Sequence, residues 1–314
     1  MAKESKRAAG RFGNPFAWMF LTVFTLSWVV LALDRGRSLP LAPGLASFVV
    51  ADVFAFVVIA VLLRLARGRQ PVDHRSSLGI RASRAEVVGL LLYIAAVLLA
   101  GRLLGVGAHI ASAGYSSGAA VAWESHTPTS ILRWVVFNFV AGVVLPLLYF
   151  LVWRRDSPRA LLLGFPREKK WLAFCLAAGF FGVLGADPAS TFRQPIAAHL
   201  LTILIMSLGT FLPIMILFES LLAPRLAILT RSAVTGAVLS GVAYGLYHPF
   251  EFFLDWSSGA KALVSLAWLV QLMFFGVAKG ISTLWTGSAW VHIFTTHTIH
   301  LSEAAGVTRV FRLR

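Results

Sequence analysis

The chain alternates long, continuously apolar runs with short polar loops, and the runs lack the every-second-residue alternation of a half-buried strand. About twenty apolar residues cross a hydrocarbon core as a helix, whereas a barrel strand would alternate over about ten. Spans are expected at Pro15 to Leu33, Leu41 to Leu63, Val87 to Ile110, Ile131 to Trp153, Trp171 to Ala186, Ala197 to Leu229, Ala233 to Phe250, Leu263 to Trp285 and Ser288 to Ala305. The expected fold is all-α, a polytopic transmembrane helical bundle with about 8–9 spanning helices. The longest runs must tilt, break or extend into water.

Composition removes the main competitors. Hydrophobic residues make up 58% of the 314 and charged ones 13%, which excludes a soluble globular domain. A net charge of +15 suits nucleic-acid binding at first sight, but the basic residues sit in loops between apolar runs, so no nucleic-acid partner is expected. Lys and Arg number four before the first run, then two, then six in RLARGRQPVDHRSSLGIRASR, none over Gly107 to Ser130, and six in RRDSPRALLLGFPREKK. That alternation places the N-terminus in the cytoplasm of an integral membrane protein, expected in a bacterial inner (plasma) membrane. Parity puts the final tail outside, against the three arginines of VTRVFRLR. The basic start and first run lack a small-x-small cleavage site and read as a retained anchor. Cys175 is the single cysteine, so no disulfide or thiolate metal site is available, and it reads as packing.

The loops are too short to fold alone, so chemistry must come from the bundle. A charge inside a span costs a few kcal/mol and marks a site by default. The intramembrane candidates are Asp52, Glu219, His248, His297 and His300, with Asp255, Glu251, His292 and Lys279 nearer helix ends. Asp52 is expected to pair with a basic residue such as Arg102 or to sit shallow near the outer face. Glu219 precedes the turn at Thr230 to Thr235 and His248 follows it by a similar count, which puts both roughly 17 to 24 Å from that turn. His297 follows the turn at Thr286-Gly287-Ser288 by roughly 15 Å. A carboxylate near two imidazoles suits general-base hydrolysis, in which Glu219 takes a proton from water. Two other readings stay open: histidines that only hydrogen-bond across helices, and a metal or proton site built from Glu219, His248, His297 and His300. No cofactor is expected under the hydrolytic reading, and zinc is the ion the alternative would take. Trp285, Trp290 and Trp256 read as interface anchors, Glu251 as a solvated charge with a reach back to His248 as the alternative, and Gly276 with Gly280 as a close-packing face.

LFESLLAPRL, LSGVAYGLYHPF and TLWTGSAWVHIFTTHTIHL resemble, in order and spacing, the three motifs of the CPBP family, the CAAX prenyl endopeptidases and bacteriocin-processing proteins. That family's pattern reads Glu-Glu-x-x-x-Arg, Phe-x-x-x-His and His-x-x-x-Asn. The resemblance implies a glutamic intramembrane endopeptidase acting on a membrane-embedded or lipid-anchored protein substrate in the bilayer. It implies Glu219 as the water-activating base, His248 as its partner and His297 as the oxyanion donor. Ser220 stands for the second glutamate, Pro224 for the arginine with Arg225 one place later, Tyr244 for the phenylalanine, and Leu301 for the asparagine with His300 beside it. It divides the chain into helices of unassigned role over 1–196, a catalytic core over 197–306 and a basic tail over 307–314. A relative that has lost catalysis and binds a partner membrane protein is the alternative the departures favour.

Overall fold

The computed structural model describes residues 14–40, 45–66, 71, 83–106, 126–166, 168–185, 192–251, 253–296 and 303–313. Every regular element among them is a helix. In chain order these are α1 (Pro15–Asp34), α2 (Leu45–Leu65), α3 (Arg84–Leu103), α4 (Pro128–Trp153), α5 (Lys169–Gly185), α6 (Ile196–Thr230), α7 (Ala233–Leu246), α8 (Gly259–Thr286), α9 (Val291–Thr296) and α10 (Ala304–Phe311). Among the described residues five are long and apolar enough to cross a membrane, namely α1, α3, α4, α6 and α8, which suggests an integral membrane protein.

Local chemistry sets the helix ends. Asn14 accepts from Ala17 N ahead of Pro15 at the first turn, and Ser232 and Ser258 cap α7 and α8 in the same way. Gly287, at φ 70°, closes α8 in the left-handed conformation that glycine adopts without strain.

Helices α4 and α6 are not uniformly α-helical. Widened π turns occupy Val140–Val144 and Leu148–Trp153 in α4, and Ser207–Phe211 and Met215–Leu222 in α6. Three of the four end two residues before a proline, at Pro146, Pro213 and Pro224, while Leu148–Trp153 begins two residues after Pro146. Proline offers no N–H to the carbonyl four residues back, and its ring collides with that carbonyl. An i to i−5 bond from the residue just before the proline, as from Ala223 N to Phe218 O, moves the carbonyls aside.

The core is organised around the antiparallel pair α7 and α8. At Gly241 and Gly276 the backbones approach so closely that a Cβ on Gly276 would lie 2.8 Å from Gly241 Cα. The small-residue face expected at Gly276 and Gly280 therefore meets α7, with Gly280 against Ala237. α1 and α2 lean on α8 through a three-ring layer in which Phe24 and Phe56 each lie 4.6 Å from Phe274. α6 buries its residues 214 to 228 against α7, α3 and α4.

One end of the bundle gathers the start of α1, the end of α2 and the segments that follow α4, α6 and α8. Asn14 Nδ2 donates to Ser232 Oγ and Thr235 Oγ1, Lys170 Nζ donates to Leu65 O, and Ser288 Oγ donates to Gly164 O. α10 packs at the other end, where Val307 meets Ile131, Trp134, Ile205 and Met206.

Candidate functional site

Glu219 lies within the eight-residue π segment of α6, all of whose residues are buried. π turns occur often at functional sites, because they rotate one side chain out of α-helical register. The Glu219 side chain points at α8, where Thr283 Oγ1 donates to Oε2 at 3.2 Å. Its Oε1 is equally buried and has no hydrogen-bond partner among the described residues. A buried carboxylate oxygen of this kind costs free energy and is ready to take a donor, such as water or substrate.

Lys279, one turn before Thr283 on α8, is the hub of the site. It is buried to 2% exposure, and its Nζ lies 3.8 Å from the centroid of the Tyr244 ring, against which a desolvated ammonium is attracted. The same ammonium interacts electrostatically with Glu219, His248 and His292. His248 follows the C-terminal end of α7, where Pro249 halts the helix, and its ring sits 4.6 Å from that of Tyr244. His248 Nδ1 donates to Tyr244 O at 2.7 Å, and His292 Nδ1 donates to Ala289 O at 2.7 Å. A carbonyl can only accept, so both rings carry their hydrogen on Nδ1 and, when neutral, offer Nε2 as a lone pair.

Of the residues singled out from sequence, Glu219, Tyr244 and His248 thus share the surroundings of Lys279. His297, His300 and Leu301 lie outside the described residues. Ser220 faces away and donates to Leu161 O at 2.5 Å. Arg225 belongs to a different cluster: fully buried, it pairs with Asp156 at 3.2 Å and Glu86 at 3.4 Å, donates to Leu221 O, and stacks on Phe150. The reason is geometric, since the π segment and Pro224 direct residue 225 toward α3 and the end of α4.

Two expectations are corrected. Asp52 does not pair with Arg102; it is buried and accepts from Trp28 Nε1 at 2.9 Å, while Arg102 stacks on Phe250. Glu251 is buried rather than solvated, because the loop after α7 folds back on the bundle, and burial pushes its carboxyl up to about 8. Trp290, read as an interface anchor, is half-buried, donating to Leu163 O and stacking on the exposed Phe165.

Residue spacing alone puts Lys279 and His292 near helix ends and does not single out Thr283. Lys279 and Thr283 stand at i and i+4 on one face of an apolar helix, which is the signal that could have found them. Among the described residues no three His, Cys, Asp or Glu side chains are arranged as a metal ligand set. No family model, curated protein or solved structure matches this chain.

Proposed function

We propose that the chain is an intramembrane glutamic endopeptidase, a divergent relative of the CPBP family that hydrolyses a peptide bond of a membrane-embedded or lipid-anchored protein. The observation that carries this reading is Glu219: fully buried inside a π segment, held through Oε2 by Thr283, with Oε1 turned to no partner among the described residues. In this mechanism a water binds at Oε1 and gives its proton to Glu219 as its oxygen attacks the scissile carbonyl. The carbonyl oxygen gains negative charge, which the Lys279 ammonium and the donor expected from His297 stabilise. Collapse of the tetrahedral intermediate breaks the C–N bond, and the proton held by Glu219 passes to the leaving amine. His248, with its Nδ1 fixed on Tyr244 O, orients the water through Nε2.

The same reading sets the bundle in a bacterial inner membrane with about 8–9 crossings and a cytoplasmic N-terminus, and makes 197–306 the catalytic core. It requires no cofactor. A metal site is a poorer fit, because Lys279 would set a cation beside the same histidines. A second reading, a partner-binding relative without catalysis, is favoured by Arg225, which is committed to Glu86 and Asp156 rather than to Glu219. Co-expression with a cleaved membrane substrate separates the two. Glu219→Gln and His248→Ala each abolish cleavage at unchanged abundance under the peptidase reading, and undiminished cleavage in both variants rules it out.

A further inference from the structure

A groove of about 540 Å³ opens between α3 and α4, within the range of about 300–1,000 Å³ typical of small-molecule sites. Its walls are apolar, formed by Leu90, Pro146 and Phe150 with Gly89 leaving the α3 side open; its polar end carries Glu86 and Arg154. It runs from the first turn of α3 to Tyr93, roughly 10 Å along the helix. Glu219, Lys279 and His248 do not line it. Both flanking helices have the length and apolarity of membrane spans, and their neighbouring side chains Val88, Leu92, Leu145 and Leu148 are exposed. The groove therefore faces the bilayer, and an occupant reaches it from there.

The charges at the polar end select the occupant. Glu86 is shared by two guanidinium groups, Arg154 at 3.2 Å and the fully buried Arg225 at 3.4 Å. Arg154 is 27% exposed, so it can turn its N–H groups to a ligand while Arg225 still neutralises Glu86. Arg84 and Arg155 flank it on the surface, and Asp156 is held by Arg225. The rim is thus net positive, and anionic headgroups are attracted to such a surface at about 1 kcal/mol per Lys or Arg. Guanidinium also matches phosphate oxygens in a two-pronged geometry.

We propose that this groove is a binding site for one anionic phospholipid, its acyl chain along Leu90, Pro146 and Phe150 and its phosphate on Arg154. The site is separate from the Glu219 centre and stands whether or not that centre is catalytic.

The test uses the purified full-length protein, native mass spectrometry and mixed vesicles of dioleoyl phosphatidylglycerol and dioleoyl phosphatidylcholine. The wild type retains one phosphatidylglycerol per chain, at least tenfold over phosphatidylcholine. A Cβ at Gly89 meets no atom within 4 Å, so Gly89→Leu fills the groove without a backbone clash and with better helix propensity. That variant retains at least tenfold less lipid at an unchanged thermal midpoint in detergent. Arg154→Gln keeps a lipid but loses the headgroup preference, and it serves where Gly89→Leu alters folding. Glu219→Gln leaves retention unchanged. Wild-type retention in Gly89→Leu, or equal retention of the two lipids by the wild type as for ordinary boundary lipid, overturns the proposal.

Discussion

Replacing Arg225 by methionine removes the centre of the buried charge cluster while keeping an unbranched side chain in its place. Arg225 is 0% exposed in its side chain, and its partners Glu86 and Asp156 are 7% and 9% exposed, so solvent screens neither pair much. The variant strands the Asp156 carboxylate and leaves Glu86 with Arg154 alone. Removing one partner of a buried pair costs about 3–5 kcal/mol, because the charge left behind has lost its hydration. Arg154 tempers the Glu86 share, while the lost stacking at 4.3 Å over Phe150 adds to the cost, so about 3–4 kcal/mol is expected. Reversible unfolding in mixed micelles measures it. The triple variant Arg225→Met, Glu86→Gln, Asp156→Asn should return to within about 1.5 kcal/mol of the wild type, since a buried pair can be exchanged for neutral groups of similar volume at little cost. A single-variant loss below about 1 kcal/mol, the range of exposed ion pairs, would refute the buried-cluster account. So would a triple variant no more stable than the single one.

Two further perturbations probe other parts of the bundle. Gly241→Leu places a Cβ 2.5 Å from Val277 N and 2.8 Å from Met273 O, both backbone atoms that cannot swing aside, so the α7–α8 pair must part. A loss of at least about 1–3 kcal/mol in the same unfolding assay is expected, and a variant as stable as the wild type contradicts the close approach. Glu251, in the loop between α7 and α8, is raised by burial from 4.5 to about 8. The folded protein keeps a proton there that the unfolded chain releases, so this group's contribution is full below about pH 4.5 and declines as pH rises toward about 8. Thermal midpoints across that window should fall less steeply for Glu251→Gln than for the wild type, and an identical slope contradicts the buried placement.

How much of this was legible in the sequence depended on the physics at each position. α1 was expected over Pro15 to Leu33 and runs Pro15–Asp34, because the Asn14-Pro15 start and the Asp34-Arg35 end are both written in residue type. α7 stops at Leu246 rather than Phe250, where Pro249 biases the preceding residue out of the helix. The last expected span, Ser288 to Ala305, is represented among the described residues by α9 and the start of α10. The π segments left no trace in apolar periodicity, since a continuously apolar run reads alike whether its bonds close at i−4 or i−5. Only Pro146, Pro213 and Pro224 hinted at them.

The candidate site was half legible for a related reason. Intramembrane charges announce themselves, which singled out Glu219 and His248. Their partners depend on rotation and tilt, which residue spacing along a straight helix does not fix. Spacing along the chain fixes only the distance of Glu219 from the turn at Thr230 to Thr235, whereas its partner Thr283 lies three residues from the end of α8, at a different turn. Arg225 looked like a neighbour of Glu219 in sequence, but its partners come from the first turn of α3 and the segment after α4.

The measurement closest to the central claim compares membrane fractions from cells expressing the wild type and Glu219→Gln at matched abundance, with all protein N- and C-termini quantified by mass spectrometry. If Glu219 activates the hydrolytic water, a small set of new termini from membrane-anchored proteins appears with the wild type and is absent with Glu219→Gln. Identical sets of termini in the two samples would contradict the peptidase account.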